Sequence, residues 1–317
     1  MIKNIGVIGA GTMGHGIALS FALYGYDVTM YDAYENQLNK AMVEIAAELA
    51  LLAEEEFIAP QSIPAVLARI KVFSNLQQAV HDRDYVIEAT PEILELKQNL
   101  FKQLDELCPE HTILASNTSS LKLDSMMTLI TDDRKQRMIV NHWYNPAHLM
   151  PIVELSCFGN MPAALYTEVE QLHRAIRKQT VKVLKDVPGL VANRIQQGVA
   201  REVFSLMEMG VAEPSDIDKA LKFGPAFRYA TTGQLEVADF GGLDIWSIVG
   251  DNLLKEMDNR QGANDLLKQK VAEGKLGIKT GEGFYKYEAD KIPDIKKQFM
   301  KKLIHQLKAS DYYKQSE

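Results

Sequence analysis

Residues 5–14 read IGVIGAGTMG, an apolar run followed by three glycines in a Gly-x-Gly-x-x-Gly pattern. In such a pattern the first glycine makes a tight turn, the second lets the backbone approach a pyrophosphate, and the third lets a helix pack closely on the strand. The N-terminus of that helix presents N–H groups and the positive end of its dipole to phosphates. The sequence therefore predicts a dinucleotide-binding turn made by Gly9, Gly11, Thr12, Met13 and Gly14.

The residue after the second apolar run favours one dinucleotide over another. Asp32 follows residues 27–31, at the position where a carboxylate can hydrogen-bond the 2′-hydroxyl of an adenosine ribose. A carboxylate there would repel a 2′-phosphate, so we expect NAD rather than NADP. A glycine turn alone is often only structural, but the flanking strand, helix and acid together indicate a cofactor site.

Short apolar runs alternate with helix-like stretches through the first 185 residues. Because the runs are continuously apolar, they are typical of strands buried on both faces of a parallel sheet. We predict an α/β fold, a Rossmann-type doubly wound sheet, followed by a smaller all-α domain. The predicted strands are residues 5–8, 27–31, 70–73, 85–88, 113–116, 138–142, 152–156 and 181–184.

The predicted domain boundaries follow changes in this pattern. Residues 1–185 form the predicted NAD-binding domain, and residues 186–290 the helical domain for substrate and dimerisation. Residues 291–317 carry apolar residues at helical spacing with lysines between them, which predicts an amphipathic tail helix that docks on the protein. Membrane-surface binding and a frayed tail are the alternatives.

Composition excludes several classes of protein. The 317 residues contain 35 Lys and Arg against 42 Asp and Glu, a net charge of −7, which argues against a nucleic-acid partner. No apolar run reaches the roughly 18 residues of a membrane span. The start of the chain lacks the features of a signal peptide, so we expect a cytoplasmic location. Cys108 and Cys157 have no metal-ligand spacing, and no metal site is expected.

Seven motifs, including the glycine turn, resemble in the same order those of the L-3-hydroxyacyl-CoA dehydrogenases. The resemblance covers residues 3–287. It is carried by IGAGTMG (8–14), IEA (87–89), ASNTSS (115–120), HWYNP (142–146), VE (153–154), PGLVANR (188–194) and KTGEGFY (279–285). It implies a Rossmann domain, a helical domain through which members usually form homodimers, NAD as cofactor, a 3-hydroxyacyl substrate and a place in fatty acid metabolism.

The resemblance also implies roles for individual residues. The catalytic base falls on His142 and its partner carboxylate on Glu154. The residues predicted to contact substrate are Ser119 and Asn193, and less firmly Asn145. Those predicted to lie along the nicotinamide half of the cofactor are Glu92 and Lys97, with Asn117 in the same loops.

Chemistry supports these roles, although each residue has a structural alternative. An imidazole with a pKa near 6.5 suits removal of a hydroxyl proton while a hydride leaves the carbon. Glu154 lies between apolar residues, where a carboxylate is costly unless it has a partner. The alternatives are a structural role for His142, helix-start roles for Ser119 and Asn193, and a solvated side chain for Lys97.

Two departures from the family pattern leave the substrate open. CoA-using members typically carry a serine and a lysine on the long helix after the second strand, where an ungapped alignment from Asp32 places Glu48 and Glu55. An acidic surface there would repel the phosphates of CoA. Arg228, in a segment more like that of relatives acting on gulonate or carnitine, is able to bind a carboxylate.

We expect NAD-dependent oxidation of an L-3-hydroxyacyl group, with a CoA thioester as the first candidate substrate. The alternative substrate is a free 3-hydroxy acid. A non-catalytic NAD-binding protein is the third interpretation, and the presence of both His142 and Glu154 argues against it.

Overall fold

The computed structural model describes residues 2–314, with side chains through residue 311. The chain divides into two compact units, Met1–Val191 and Ala192–Glu317. The first unit contains a sheet with helices, and the second is built from helices. The predicted fold class, a Rossmann-type α/β domain and a smaller helical one, is confirmed.

Eight strands form a single sheet within the described part of the first unit. They are β1 (Asn4–Ile8), β2 (Asp27–Tyr31), β3 (Ile70–Phe73), β4 (Tyr85–Glu88), β5 (Ile113–Ser116), β6 (Met138–Trp143), β7 (Ile152–Ser156) and β8 (Gln179–Lys182). Their order across the sheet is β3-β2-β1-β4-β5-β6-β7-β8. Neighbouring strands are parallel except β6 and β7, which are antiparallel.

The helices of the first unit lie between the strands. They are α1 (Gly14–Leu23), α2 (Glu35–Glu54), α3 (Ile63–Ala68), α4 (Leu76–Val80), α5 (Leu94–Leu107), α6 (Leu123–Met126), α7 (Asp132–Lys135) and α8 (Ala163–Ala175). A single 3-10 turn, Pro60–Ser62, precedes α3.

The central strands are buried on both faces, as their continuous apolar runs predicted. All four residues of β4 and all four of β5 are buried. Alternate residues belong to two different apolar clusters: Val7 and Ile87 to one, Ile8 and Val86 to the other. Because successive strand residues point to opposite faces, the two clusters are the cores on the two sides of the sheet.

Most strand predictions were confirmed to within one residue, but the last was displaced. The strand expected at 181–184 is β8, Gln179–Lys182, because β8 pairs with β7 from Gln179 opposite Ile152. Leu184, predicted to be in the strand, lies beyond it and is 77% exposed. The short helices α3, α4, α6 and α7 were not predicted, since four to six residues are too few to show helical periodicity.

Helices make up the second unit. They are α9 (Ala192–Glu208), α10 (Pro214–Phe223), α11 (Pro225–Tyr229), α12 (Gln234–Gly241), α13 (Leu243–Leu253), α14 (Asp265–Ala272) and α15 (Ile292–Lys314), with a 3-10 turn at Ala289–Lys291. Helix α15 is the predicted tail helix and belongs to this unit; residues 315–317 of the tail lie outside the described residues. Its Ile304 is buried, whereas Phe299 is 55% exposed.

Within residues 2–314, every helix is too short or too polar to cross a bilayer.

Candidate active site

Several predicted site residues of the first unit follow the carboxyl ends of neighbouring parallel strands. Strands β1 and β4 are adjacent in the sheet. The next strand of the sheet after β1 is β2, toward one edge, and the next after β4 is β5, toward the other edge. In open α/β sheets such a point leaves a crevice outside the carboxyl ends of the strands, where ligands bind. The glycine turn follows β1, Asp32 follows β2, and Glu92 and Ser119 follow β4 and β5.

The glycine turn has the geometry that a pyrophosphate needs. Gly9 has φ +98°, and a Cβ there would lie 2.9 Å from the Ala89 carbonyl oxygen. A Cβ on Gly14 would lie only 1.7 Å from the carbonyl oxygen of Gly9, so α1 can pack here only with glycine. A Cβ on Gly11, by contrast, meets no atom within 4 Å. The backbone at Gly11 is therefore open to an approaching ligand, as a dinucleotide site requires.

Backbone amides hold the Asp32 carboxylate beside this turn. Oδ2 accepts a 3.0 Å hydrogen bond from Ala10 N, and Oδ1 accepts one of 3.0 Å from Tyr34 N. An ionised carboxylate has about four acceptor sites, so two donors leave capacity for ribose hydroxyls. The turn and Asp32 together therefore fit the adenosine and pyrophosphate groups of NAD.

Glu92 organises the loop that contains Ser119. Its Oε1 accepts hydrogen bonds from Thr118 Oγ1 (2.6 Å), Ser119 N (3.1 Å), Ser120 N (3.0 Å) and Ser120 Oγ (2.8 Å). Burial raises the pKa of Glu92, but these hydrogen bonds and the nearby charge of Lys97 outweigh it and lower the pKa below its usual range. Glu92 is thus a carboxylate that positions the backbone of Ser119.

Lys97 lies inside the protein. It is 1% exposed, and its Nζ lies 2.7 and 2.8 Å from the two carboxylate oxygens of Glu88, which is fully buried. The same Nζ is 3.6 Å from Glu92 Oε2 and donates to the Thr90 carbonyl at 3.3 Å. The solvated lysine considered from sequence is therefore wrong, and the amino group contacts protein acceptors at the end of β4.

The sheet brings His142 and Glu154 together directly. The antiparallel register of β6 and β7 places these two residues opposite each other. His142 Nδ1 lies 2.8 Å from Glu154 Oε2, and Glu154 Oε1 accepts a 2.8 Å bond from Val191 N. Glu154 is 0% exposed. Because the Glu154 carboxylate accepts a hydrogen bond from Nδ1, the neutral imidazole carries its proton on Nδ1. Its Nε2 is then able to accept a proton.

Asn117 and Tyr144 lie next to this pair. The Asn117 Oδ1 accepts a 2.8 Å hydrogen bond from Trp143 N, so this side chain joins the end of β5 to β6. The ring of Tyr144 meets that of His142 edge to face at 5.1 Å. Burial, together with the charge of Glu154, raises the pKa of Tyr144 to about 12, so its hydroxyl stays protonated.

Three other predicted substrate residues are on later segments of the chain. Asn145 is exposed in the segment that follows β6. Asn193 is in the first turn of α9, and Arg228 is an exposed residue of α11, both in the second unit. Their roles, like those of the other site residues, stay predictions.

Sequence reasoning missed His15, although it directly follows Gly14. It is buried in the first turn of α1, and its ring lies between the backbone of the glycine turn and Glu48 of α2. The available signal was a titratable residue immediately after the last glycine of the motif. Among residues 2–311, no three His, Cys, Asp or Glu side chains are grouped so as to hold a metal ion.

Two family models together match most of the chain. The 3-hydroxyacyl-CoA dehydrogenase NAD binding domain matches residues 4–187, and the 3-hydroxyacyl-CoA dehydrogenase C-terminal domain matches residues 189–287.

Curated relatives match over nearly their whole length. The human mitochondrial hydroxyacyl-coenzyme A dehydrogenase is 35% identical over 296 residues, which are 91% of this chain and 92% of the relative. A probable 3-hydroxybutyryl-CoA dehydrogenase of Bacillus subtilis is 36% identical over 288 residues, 90% of this chain and 98% of its own. The 5-formyl-3-hydroxy-2-methylpyridine 4-carboxylate 5-dehydrogenase of Mesorhizobium japonicum is 31% identical over 304 residues, 96% and 97% of the two chains.

Solved structures agree with these relatives. A crystal structure of 5-formyl-3-hydroxy-2-methylpyridine 4-carboxylic acid 5-dehydrogenase, described as an NAD⁺-dependent dismutase, superimposes with a TM-score of 0.89 at 30% identity. It covers 98% of this chain and 99% of that one. The (S)-3-hydroxybutyryl-CoA dehydrogenase of Ralstonia eutropha has a TM-score of 0.72 at 32% identity, covering 91% and 100%. The chain therefore belongs to the 3-hydroxyacyl-CoA dehydrogenase family of NAD-dependent oxidoreductases.

Proposed function

We propose that this oxidoreductase interconverts an L-3-hydroxyacyl and a 3-oxoacyl group, with His142 as the general base. The observation that supports this most directly is the 2.8 Å contact between His142 Nδ1 and the buried Glu154 carboxylate. The carboxylate keeps the proton of the neutral ring on Nδ1, so Nε2 takes the proton of the substrate hydroxyl. It then stabilises the imidazolium that forms.

Glu154 suits this role because it is held from both sides. One oxygen meets His142 and the other accepts the hydrogen bond of Val191 N. A buried carboxylate whose two oxygens each have a hydrogen-bond partner is fixed in orientation. Ser119 and Asn193 are assigned to the substrate oxygen, where they donate hydrogen bonds as its charge changes.

NAD, when bound, supplies the acceptor for the hydride. The residues proposed to hold it are the open backbone at Gly11, the amides of Thr12 and Met13 at the start of α1, and the Asp32 carboxylate. We assign the buried Lys97 a positioning role. Its ammonium neutralises Glu88 and lies 3.6 Å from Glu92, which in turn holds the Ser119 loop.

The first candidate substrate is a 3-hydroxyacyl-CoA thioester. The family models and the human, Bacillus subtilis and Ralstonia eutropha relatives all carry names of CoA-dependent enzymes.

A small free carboxylic acid is the second candidate, and two observations favour it. The surface at the end of α2 is acidic where CoA-using members typically carry basic residues, since Glu54 and Glu56 are exposed there. In addition, the structural relative with a TM-score of 0.89 is named for a free pyridine carboxylate. A polyanionic CoA would be repelled by such a surface.

We also propose that the second unit forms a homodimer. Helices α11, α12, α13 and α14 have no buried side chain among the described residues. Large apolar side chains are instead exposed, with Phe240 at 88%, Leu235 at 83% and Ile248 at 58%. Many large apolar side chains exposed on neighbouring helices are typical of an interface between subunits.

Replacing His142 tests the proposed base. We expect His142→Gln to lower kcat at least about 100-fold, the usual scale for loss of a general base, while NADH affinity stays within about twofold. Stopped-flow turnover and calorimetric NADH titration measure the two quantities. His81→Gln, at an exposed histidine, is the control. Normal turnover of His142→Gln would exclude the assignment.

Replacing Asp32 tests cofactor preference. Asp32→Ala removes the acceptor for the ribose hydroxyls and the charge that repels a 2′-phosphate. We expect KM for NAD to rise about tenfold or more and the preference for NAD over NADP to fall by a similar factor. Steady-state kinetics with both cofactors measure this, and an unchanged preference would contradict the ribose role.

Acetoacetyl-CoA and free acetoacetate, each with NADH, distinguish the substrate candidates. The first candidate predicts that the thioester is reduced with the higher kcat/KM. Repulsion by α2 predicts instead that the free acid, or another small oxo or formyl carboxylate of a test panel, is the better substrate. Oxidation of NADH is followed at 340 nm, and His142→Gln gives the background for each compound. Turnover confined to the thioester would rule out the second candidate, and turnover confined to free acids the first.

Sedimentation velocity tests the homodimer. The protein should sediment at twice the mass of one chain. Phe240→Glu, which places a charge on the exposed apolar face, should shift it toward the monomer. Leu129→Glu, at a 48% exposed apolar residue of the first unit, is the matched control and should leave the dimer intact. A monomeric wild-type protein at micromolar concentration would refute the proposal.

A further inference from the structure

A histidine, His15, lies between two oxygen acceptors at the start of α1. Its Nδ1 is 2.9 Å from the carbonyl oxygen of Gly11, within the glycine turn. Its Nε2 is 3.1 Å from Glu48 Oε1 on α2. A second carboxylate, that of Glu44, approaches Nδ1 at 3.7 Å. The ring is largely buried, with 10% of its side chain exposed.

This arrangement satisfies only the protonated ring. A carbonyl oxygen and a carboxylate oxygen are both acceptors, so each ring nitrogen needs a hydrogen to bond its neighbour. A neutral imidazole has one N–H and would leave one of these two contacts unmade. Burial lowers the pKa of His15, but the hydrogen bond and charge of Glu48, the Gly11 carbonyl and Glu44 outweigh it and raise the pKa above 6.5.

The other titratable groups near His15 do not supply the positive charge that its neighbours Glu48 and Glu44 face. His148 lies 3.5 Å from the second oxygen of Glu48, and burial lowers its pKa to about 4, so it is neutral at working pH. Lys178, beyond His148, donates to the carbonyl oxygens of Ala147 and Met150. Lys40 is 3.8 Å from Glu44 on the exposed side of α2.

We propose that protonated His15, with Glu48 as its counter-ion, is a positioning residue for the dinucleotide turn, and that NAD binding therefore weakens as the pH rises. The hydrogen bond from Nδ1 holds the Gly11 carbonyl, and the positive charge sits one residue after Gly14, at the end of the helix that faces the pyrophosphate. Deprotonation removes the charge and one of the two hydrogen bonds. This effect of pH is on the binding of NAD and does not depend on which substrate the protein uses.

The direction of the pH effect follows from linkage. An anionic pyrophosphate favours the imidazolium, so the bound protein holds this proton more tightly than the free protein. Below the pKa of His15 in the free protein, the Kd for NADH is constant with respect to this group. Above it, Kd rises, and it levels off above the pKa of the complex. The same group, having a raised pKa, stabilises the fold below pH 6.5, and that stability is lost as the pH rises through the pKa of the folded state.

Two measurements test the proposal without turnover. NADH fluorescence gives Kd from pH 6.5 to 9.5, and NMR of ring-labelled histidine follows the titration of His15, assigned with His15→Gln. In the wild-type protein we expect the His15 ring to titrate above pH 6.5 and Kd to rise over the same range. In His15→Gln we expect weaker binding at pH 7 and loss of that rise.

Glu48→Gln separates the ion pair from general structure. Since the amide keeps the size but not the charge of the carboxylate, His15 should titrate at lower pH, and Kd at pH 7.5 should rise roughly three- to tenfold. Glu106→Gln removes the same charge from an exposed position on α5 and should change Kd by less than about twofold. A His15 ring that titrates below pH 6 in the wild type, or a pH profile of Kd unaffected by Glu48→Gln, would overturn the proposal.

Discussion

The close contact of α1 with the end of β1 is the constraint on which the other features depend. A Cβ on Gly14 would overlap the Gly9 carbonyl oxygen, so the first turn of α1 lies against the turn that precedes it. This contact aims the helix N-terminus at the crevice above β1 and β4. It also places His15 beside Gly11 and brings Gly16 against Ala147, so that the cofactor turn and the segment after β6 pack on the same helix.

The reversal of chain direction between β6 and β7 is what makes the His142–Glu154 pair. In an antiparallel pair, residues face each other across the strands, and this register sets the imidazole opposite the carboxylate. The buried Glu154 carboxylate meets the ring of His142 with one oxygen and the amide of Val191 with the other. The orientation of the proposed base is therefore set by the pairing of these two strands.

Much of the fold was predictable because its signals are local. The glycine pattern, Asp32 and the continuously apolar strands each reflect one short stretch of chain, and all but the last strand lie in the structure within one residue of where the pattern indicated. The displaced strand β8 shows the limit, since its ends are set by pairing with β7 and not by its own apolar residues.

The site was less predictable because its contacts join distant segments. No local pattern shows that Lys97 is buried against Glu88, or that the Asn117 side chain accepts from the backbone of Trp143. The contact of His15 with Glu48 spans 33 residues and depends on how α1 packs on α2. Residue type and order along the chain suggested candidate groups, but the partner of each group required the tertiary structure.

The four hydrogen bonds that converge on one oxygen of Glu92 bear on how the site responds to a ligand. They hold the side chain of Thr118, the backbone of Ser119, and both the backbone and the side chain of Ser120. The conformational entropy of that loop, of the order of 1–2 kcal/mol per residue for the backbone, is therefore lost when the chain folds. A ligand that binds at this loop then orders little more of the protein. Little of the free energy of its contacts there is offset by the entropy cost of ordering the loop.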